Sequence, residues 1–325
     1  MPSVSNFVRH ADPFTPFDER PPSGAASVVP MPPHDDILPS VVGDDFRHRV
    51  GVKPLDPASW FVRDSEWQPT IDMKQRLLAQ RRHEVVACAE GVDDAVEEAA
   101  RLVLDWSGGS TSRRGIDALV DAAAMVPDDL TVLPPRDIDG APGLPFVAGV
   151  VCSPSRWRLA DKIGLDMLAV HRPVARYAEH IGSAVDVTLD RLTEQRPVWR
   201  SNWTLEDHPA LFQPAVPDRP LVDRPQDLWI RIERETLRRL PRSGGVLFTI
   251  RGFQQPLSDY VRRGHDVAVN LHRLVSRLPD DVARYKSIYA YRGAVLAWLE
   301  RVIAGAADGD DYGKNAGSLS VPHSA

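Results

Sequence analysis

LWIRIERETLRRLPRSGGVLFTIRGF, residues 228–253, is the stretch whose reading decides the fold. Its start alternates, so Leu228, Ile230 and Ile232 share one face of an extended strand. GVLFTIRGF, 245–253, is a second apolar strand. Between them LRRLPRSGG carries Pro, Ser and Gly, which supply turn geometry. The two strands therefore read as an antiparallel hairpin with a longish connection. Six arginines lie between Arg231 and Phe253, in a chain of formal net charge −6. Guanidinium groups around a buried strand need partners, because an unpaired buried charge is costly.

Further strands lie upstream. VWRSNW (198–203) alternates, with Val198, Arg200 and Asn202 on one face and Trp199, Ser201 and Trp203 on the other. LPFVAGVVC (144–152) is a continuous apolar run of strand length. A helix of roughly Tyr177–Glu194 separates these two. Helical spacing marks 73–89, 93–106 and 115–125 before the strands, and 258–278 and 280–305 after them. Asp93 and Asp94 stand where an N-cap is expected. Strands grouped centrally between helical runs predict an α+β fold. The proline-rich segment 1–36 reads as a flexible arm, 37–306 as one domain, and 307–325 as a disordered tail.

Composition removes several function classes. The slight acidity argues against nucleic acid as partner, which needs a basic surface. No apolar run approaches 18 residues and no signal peptide is apparent, so a cytoplasmic protein without membrane attachment is expected. Two cysteines, Cys88 and Cys152, without a CxxC, cannot hold an iron–sulfur cluster or a cysteine-based zinc site, nor attach a c-type haem. Only five cationic residues are lysines, and arginine supplies the rest. Codon bias explains an arginine surplus but not its clustering.

Familiar motifs are absent: no GxGxxG after a strand, no Walker loop, no HExxH, no GxSxG. His265 and His272 share a helical face, which is more often surface than metal pair. In RWRLADKIGLDMLAVHRPVA (156–175), His171 ends an apolar stretch, and Pro173 prevents a helix from continuing. A neutral imidazole held there could bind a metal, or be a buried histidine bonded to backbone. Arg200 and Arg251 lie on core strands, and Arg158, Lys162 and Arg231 lie beside such elements. A bound dicarboxylate would engage such groups, and haem brings two propionates and needs an axial ligand. Trp199, Phe248, Trp203, Trp229 and Phe253 could supply apolar walls. Internal arginine–carboxylate pairs, such as Arg231 and Arg234 with Glu233, are the plainer physical account.

A longer pattern adds to this. PSRWRLADKIG (154–164), AVHRPV (169–174), RPVWRSNWTLEDHPALFQP (196–214) and residues 228–257 resemble, in order, blocks of the haem-dependent oxidative N-demethylase family, in its haem-carrying subunit. GVKPLDPASWFVRD (51–64) and DDLTVL (128–133) resemble its opening blocks. The resemblance implies a PAS-like antiparallel sheet holding haem b, with iron ligated by His171 or, as rival, by Cys152. Arg158, Lys162, Arg200, Arg231 and Arg251 become candidate propionate partners. It implies oxidation by O2 of an N-methyl group of a small amine, dimethylamine in the characterised case, yielding formaldehyde. Electrons would come from NADPH through FMN and [2Fe–2S] on a separate reductase subunit, which suits the cysteine count. Glu206, Asp207 and Trp203 are candidates to meet a cationic amine. Two departures stand out: Ala175 replaces a second proline after HxPV, and Gly252-Phe253 replace Thr-Tyr. If that tyrosine faces substrate, its loss changes the pocket's polarity. A haem sensor or carrier on the same scaffold is the alternative, and a haem-free binding relative is a third.

Overall fold

The computed structural model describes residues 46–135, 145–217 and 222–305; the predicted arm 1–36 and tail 307–325 lie outside them. The quoted hairpin forms as read. Strands β6 (Trp229–Arg239) and β7 (Val246–Pro256) pair antiparallel, Leu237 opposite Phe248 and Glu233 opposite Gly252. The turn closes with Leu240 N donating to Gly245 O and Gly244 N to Leu240 O. Glu98, from a neighbouring helix, accepts the Arg242 and Ser243 amides at 2.7 and 2.8 Å. Those two charge-assisted bonds pin the turn to the N-terminal helical layer.

Five more strands extend the hairpin: β1 (Lys53–Pro54), β2 (Val86–Cys88), β3 (Asp129–Leu133), β4 (Ala148–Val150) and β5 (Val198–Glu206). The sheet runs β1-β5-β6-β7-β3-β4-β2, every neighbouring pair antiparallel. It curls into a half-barrel, and with its helices makes the fold α+β, as predicted.

Strand parity sorts the side chains between two faces. One face carries Trp203, Leu205, Ile230, Ile232, Leu247 and Phe253. Two cores lie against it. The first packs Leu247, Leu130 and Val132 under the N-terminal helices, which include α1 (Trp67–Gln80), α3 (Asp93–Ser107) and α4 (Gly115–Ala123). The second packs Trp203, Ile230, Ile232 and Phe253 under the C-terminal helices. Between these cores runs a buried polar seam containing Arg234, Thr236, Thr249 and Arg251. The opposite face carries Val198, Arg200, Asn202, Glu233, Glu235, Leu237, Phe248 and Ile250, and its Val198, Leu237 and Phe248 end packs against the segment 157–192.

Several elements differ from the sequence reading for local reasons. The helix expected over 73–89 ends at Gln80; a short turn α2 (Arg82–Val85) follows, and Val86–Cys88 pairs with β4 instead. Helix α3 begins after Val92, so Asp93 and Asp94 occupy its first turn, where carboxylates oppose the helix dipole. The run 258–278 breaks at Gly264, and 280–305 breaks at 286–291.

Lys74 is an inversion of the usual rule: it is fully buried, donating to the carbonyls of Val126 and Asp128. Burial lowers its pKa, with Asp129 and Asp128 opposing.

Candidate functional site

His171 directly follows the short helix α5 (Met167–Val170), whose N-cap is Asp166 accepting from Ala169 N at 2.7 Å. Pro173 stops the helix there. The turn is closed by Val174 N donating to His171 O at 2.8 Å. His171 Nδ1 lies 2.8 Å from Met167 O. A carbonyl only accepts, so the proton sits on Nδ1 and the Nε2 lone pair is free for a metal. This is the arrangement in which metal-binding histidines are commonly oriented. Burial drops its pKa to about 4; the Met167 bond opposes this, while Arg200 and Lys162 add to it. The ring is therefore neutral at physiological pH. Tyr177 stacks on it in parallel, centroids 4.3 Å apart and planes 4° apart.

The other predicted residues divide by location. Lys162 stays beside His171, its Nζ donating to Val170 O at 2.7 Å. Arg200 is on the same sheet face, its Nη1 on Glu235 at 2.9 Å and its Nε buried without a partner among the described residues. Phe248 is on that face too, packed with Val170, Ile163 and Trp157. These residues share one face of the sheet with His171.

Of the rest, Arg231 is on this same face of the sheet but turned to internal partners, and the others lie elsewhere. Trp199 projects from the opposite face, where the cations of Lys53 and Arg234 lie 5.2 and 5.3 Å from its ring. It cannot wall the same space as Phe248. Arg158 is half-exposed, 3.7 Å from Asp161. Arg231 is fully buried; it contacts Glu233 at 3.2 Å and Glu206 at 3.8 Å and donates to the carbonyls of Leu211 and Ser153. Arg251, 1% exposed, spans Asp64 and Thr70 and sits against Phe253 on the far face. The plainer account, internal pairing, describes Arg231 and Arg251. Cys152 lies in the N-terminal core, its thiol pushed up in pKa by burial and by Asp129, which disfavours thiolate.

The candidate amine-binding acceptors are also committed internally. Glu206 accepts from Ser155, Gln213 and Gln254, and Asp207 from Arg156 and Tyr291. Phe253, standing for the family's tyrosine, is buried against the second core and lines a separate depression with Trp229, Leu211 and Gly252. His265 is exposed and His272 pairs with Glu300 at 3.4 Å, so they form no site together.

Sequence reasoning missed the C-terminal contribution. Strand β1 pairs with β5 only at Val198 and Trp199. Farther along that edge, Lys286 donates to Trp203 O at 2.6 Å and Asn202 Oδ1 at 3.1 Å, and its carbonyl accepts from Thr204. A lysine on an unpaired strand edge protects it from further pairing. Burial lowers Lys286 to about 8, against the pull of Glu233. Tyr285 beside it feels the charges of Glu233, Glu235 and Arg200. The signal was a lone lysine in a run otherwise read as plain helix.

A helical α+β protein with a curled antiparallel sheet and a half-buried, neutral, pre-oriented histidine is the class so defined. The family of haem-dependent oxidative N-demethylase, alpha subunit-like, matches residues 51–108 and 106–296, and this chain belongs to it. The family is one of oxidative, haem-dependent enzymes, and an alpha subunit implies partner subunits. No described helix is long and apolar enough to cross a membrane.

Proposed function

We propose that residues 37–306 form one PAS-like unit that binds haem b through His171 and oxidises an N-methyl group of a small amine, using O2 and electrons from a separate reductase. The observation that carries this is the pairing of His171 Nδ1 with a backbone carbonyl, which presents Nε2 as a metal ligand. The neighbouring residues suit the group. Phe248, Val170 and Ile163 offer apolar walls, while Arg200 and Lys162 are the cations nearest His171 in effect. Arg200 Nε and the Tyr177 hydroxyl are buried donors that lack an acceptor among the described residues, and propionates would supply one. Arg231 and Arg251 are engaged by internal carboxylates, a hydroxyl and carbonyls away from His171, and Arg158 is half-exposed, so they rank behind Arg200 and Lys162.

When bound, haem would supply O2 activation, with O2 as the oxidant and the partner reductase as the electron source. This chain's part is to hold the iron by Nε2, keep that ring neutral, clamp the propionates and exclude water. NADPH, FMN and [2Fe–2S] belong to the partner subunits in this reading. The amine would meet Glu235, beside Arg200, or its neighbour Glu233, rather than Glu206 or Asp207, whose oxygens already accept from several internal donors.

The test is an absorption spectrum of protein expressed with haem supplied, followed by an amine panel with formaldehyde detection. A Soret band lost or shifted in His171→Ala, with turnover in wild type, is the expected result. An unchanged spectrum in His171→Ala removes the ligand assignment. Haem without turnover of any amine in the presence of a competent reductase favours the sensor alternative.

A further inference from the structure

Close beyond His171 the backbone takes two unusual forms in succession. Arg176 has φ 63°, in the left-handed region that side-chain-bearing residues avoid. Residues 178–182 then form a turn of π-helix, a rare geometry concentrated at functional sites. Tyr177 lies between the two. Val174 O accepts from its amide at 3.1 Å, joining it to the turn that carries Pro173. Gly182 backs its ring: a Cβ there would lie 3.8 Å from Cε1.

The result is the parallel stack on His171, with Tyr177 5% exposed. An offset parallel stack is one of the favoured aromatic geometries, and its attraction offsets part of the local backbone strain. What the stack does is restrict the imidazole's rotation. The bond from Nδ1 to Met167 O fixes one atom, the Tyr177 ring fixes the plane, and together they fix the direction of Nε2. The Tyr177 hydroxyl is buried with no partner among the described residues, a condition that native proteins rarely leave unused. Arg200 Nε is in the same condition, and the Arg200 charge is felt at both Tyr177 and His171. Burial pushes the phenol up to about 12, so it is a donor.

We infer that Tyr177 is the positioning residue of this site: its ring sets the plane of His171, and its hydroxyl, with Arg200 Nε, receives a carboxylate of the group that His171 ligates. The identity of that group as haem rests on the reading above; the ring geometry does not.

Two variants separate the two roles. Tyr177→Phe keeps the ring and loses the hydroxyl; Tyr177→Leu loses both. In the full-length haem-free chain, long-range nitrogen NMR of the histidine rings is expected to find His171 as the Nδ1–H tautomer in wild type and Tyr177→Phe. Tyr177→Leu should shift those signals or average the tautomers. Identical His171 signals in Tyr177→Leu overturn the positioning role. In haem-loaded protein, Tyr177→Phe should lose haem to a scavenger about tenfold faster or more, the worth of one charge-assisted hydrogen bond. Its iron–histidine stretch should stay at the wild-type frequency, while that of Tyr177→Leu shifts and broadens. Haem loss from Tyr177→Phe at the wild-type rate overturns the hydroxyl's role. If no variant or wild type takes up haem, the haem reading fails, and the NMR comparison still decides the positioning role.

Discussion

Arg231→Met tests whether the arginines of the hairpin are framework or cofactor contacts. Arg231 is 0% exposed, as its neighbour Glu206 is at 1%. Methionine of similar length would leave Glu233 without its 3.2 Å partner and Glu206 without its nearest cation. It would also strand the carbonyls of Leu211 and Ser153, which accept from the two terminal nitrogens. Breaking a buried ion pair from one side costs about 3–5 kcal/mol, and each stranded carbonyl adds about 1 kcal/mol. Some relief comes from protonation: burial already raises the Glu206 pKa, against the pull of Arg231. Guanidinium unfolding at neutral pH should therefore report a loss of about 4–6 kcal/mol, a large part of a typical domain's 5–15 kcal/mol. Glu206→Gln added to Arg231→Met removes one uncompensated charge and should recover about 1–2 kcal/mol. Glu206 keeps Ser155, Gln213 and Gln254 as donors, so its amide replacement has neighbours to bond. The folded fraction of either variant should take up haem with wild-type stoichiometry. A loss below about 1 kcal/mol, or normal stability with haem uptake abolished, would refute the reasoning.

Asp128 should make stability fall as pH rises. Burial lifts its pKa to about 6, with Arg251, Lys74 and Arg234 opposing. A raised folded pKa means that the cost of the buried charge is absent below pH ~4, grows through pH 4–6 and is complete above, at most about 3 kcal/mol. Asp128→Asn should gain about 1–3 kcal/mol relative to wild type between pH 4.5 and 7; chemical denaturation at both values checks this, and a pH-independent difference would sink it. Gly245→Ala should destabilise by about 1–3 kcal/mol, because the new Cβ would stand 2.8 Å from the backbone oxygen of Leu133. A thermal melt within a degree of wild type would show that the strands can separate to admit it.

The hairpin was legible because its apolar residues alternate and its turn is chemically distinct. The same alternation already placed Arg200 and Trp199 on opposite faces, which is where the structure has them. That parity was the available warning against giving both to one haem pocket. Strand β2 was not legible: Val86–Cys88 sits inside a helically spaced run, and its partner β4 lies some sixty residues away, so tertiary pairing overrides local pattern. Lys74 was unreadable for a related reason. A lysine on an amphipathic helix signals solvent, and only the folded neighbourhood reveals carbonyls waiting for it. His171 was found from its proline-limited position. Tyr177 was taken as the start of a helix, and the strained residue and π-turn that press it on His171 leave no mark in composition.

The question posed by the arginine cluster has a geometric answer. Arg231 donates to the carbonyls of Leu211 and Ser153, Arg234 to those of Ser59 and Trp60, and Arg239 to those of Leu189, Leu192 and Gly244. Apart from the hairpin's own Gly244, each carbonyl belongs to a loop or helix end laid against the hairpin. A guanidinium has five donors in a rigid plane, so one side chain on a strand can hold two turns of distant chain at once, which an ammonium's compact charge does less well. The hairpin arginines thus fasten the layers to the sheet, and they tolerate burial because carbonyls and carboxylates satisfy them. Arg200 departs from this use. Its described bond is to a carboxylate on its own sheet, and on the face that holds His171 its Nε has no acceptor among the described residues. That unspent donor, rather than the number of arginines nearby, is what distinguishes a residue available to a bound anion from one that holds the fold.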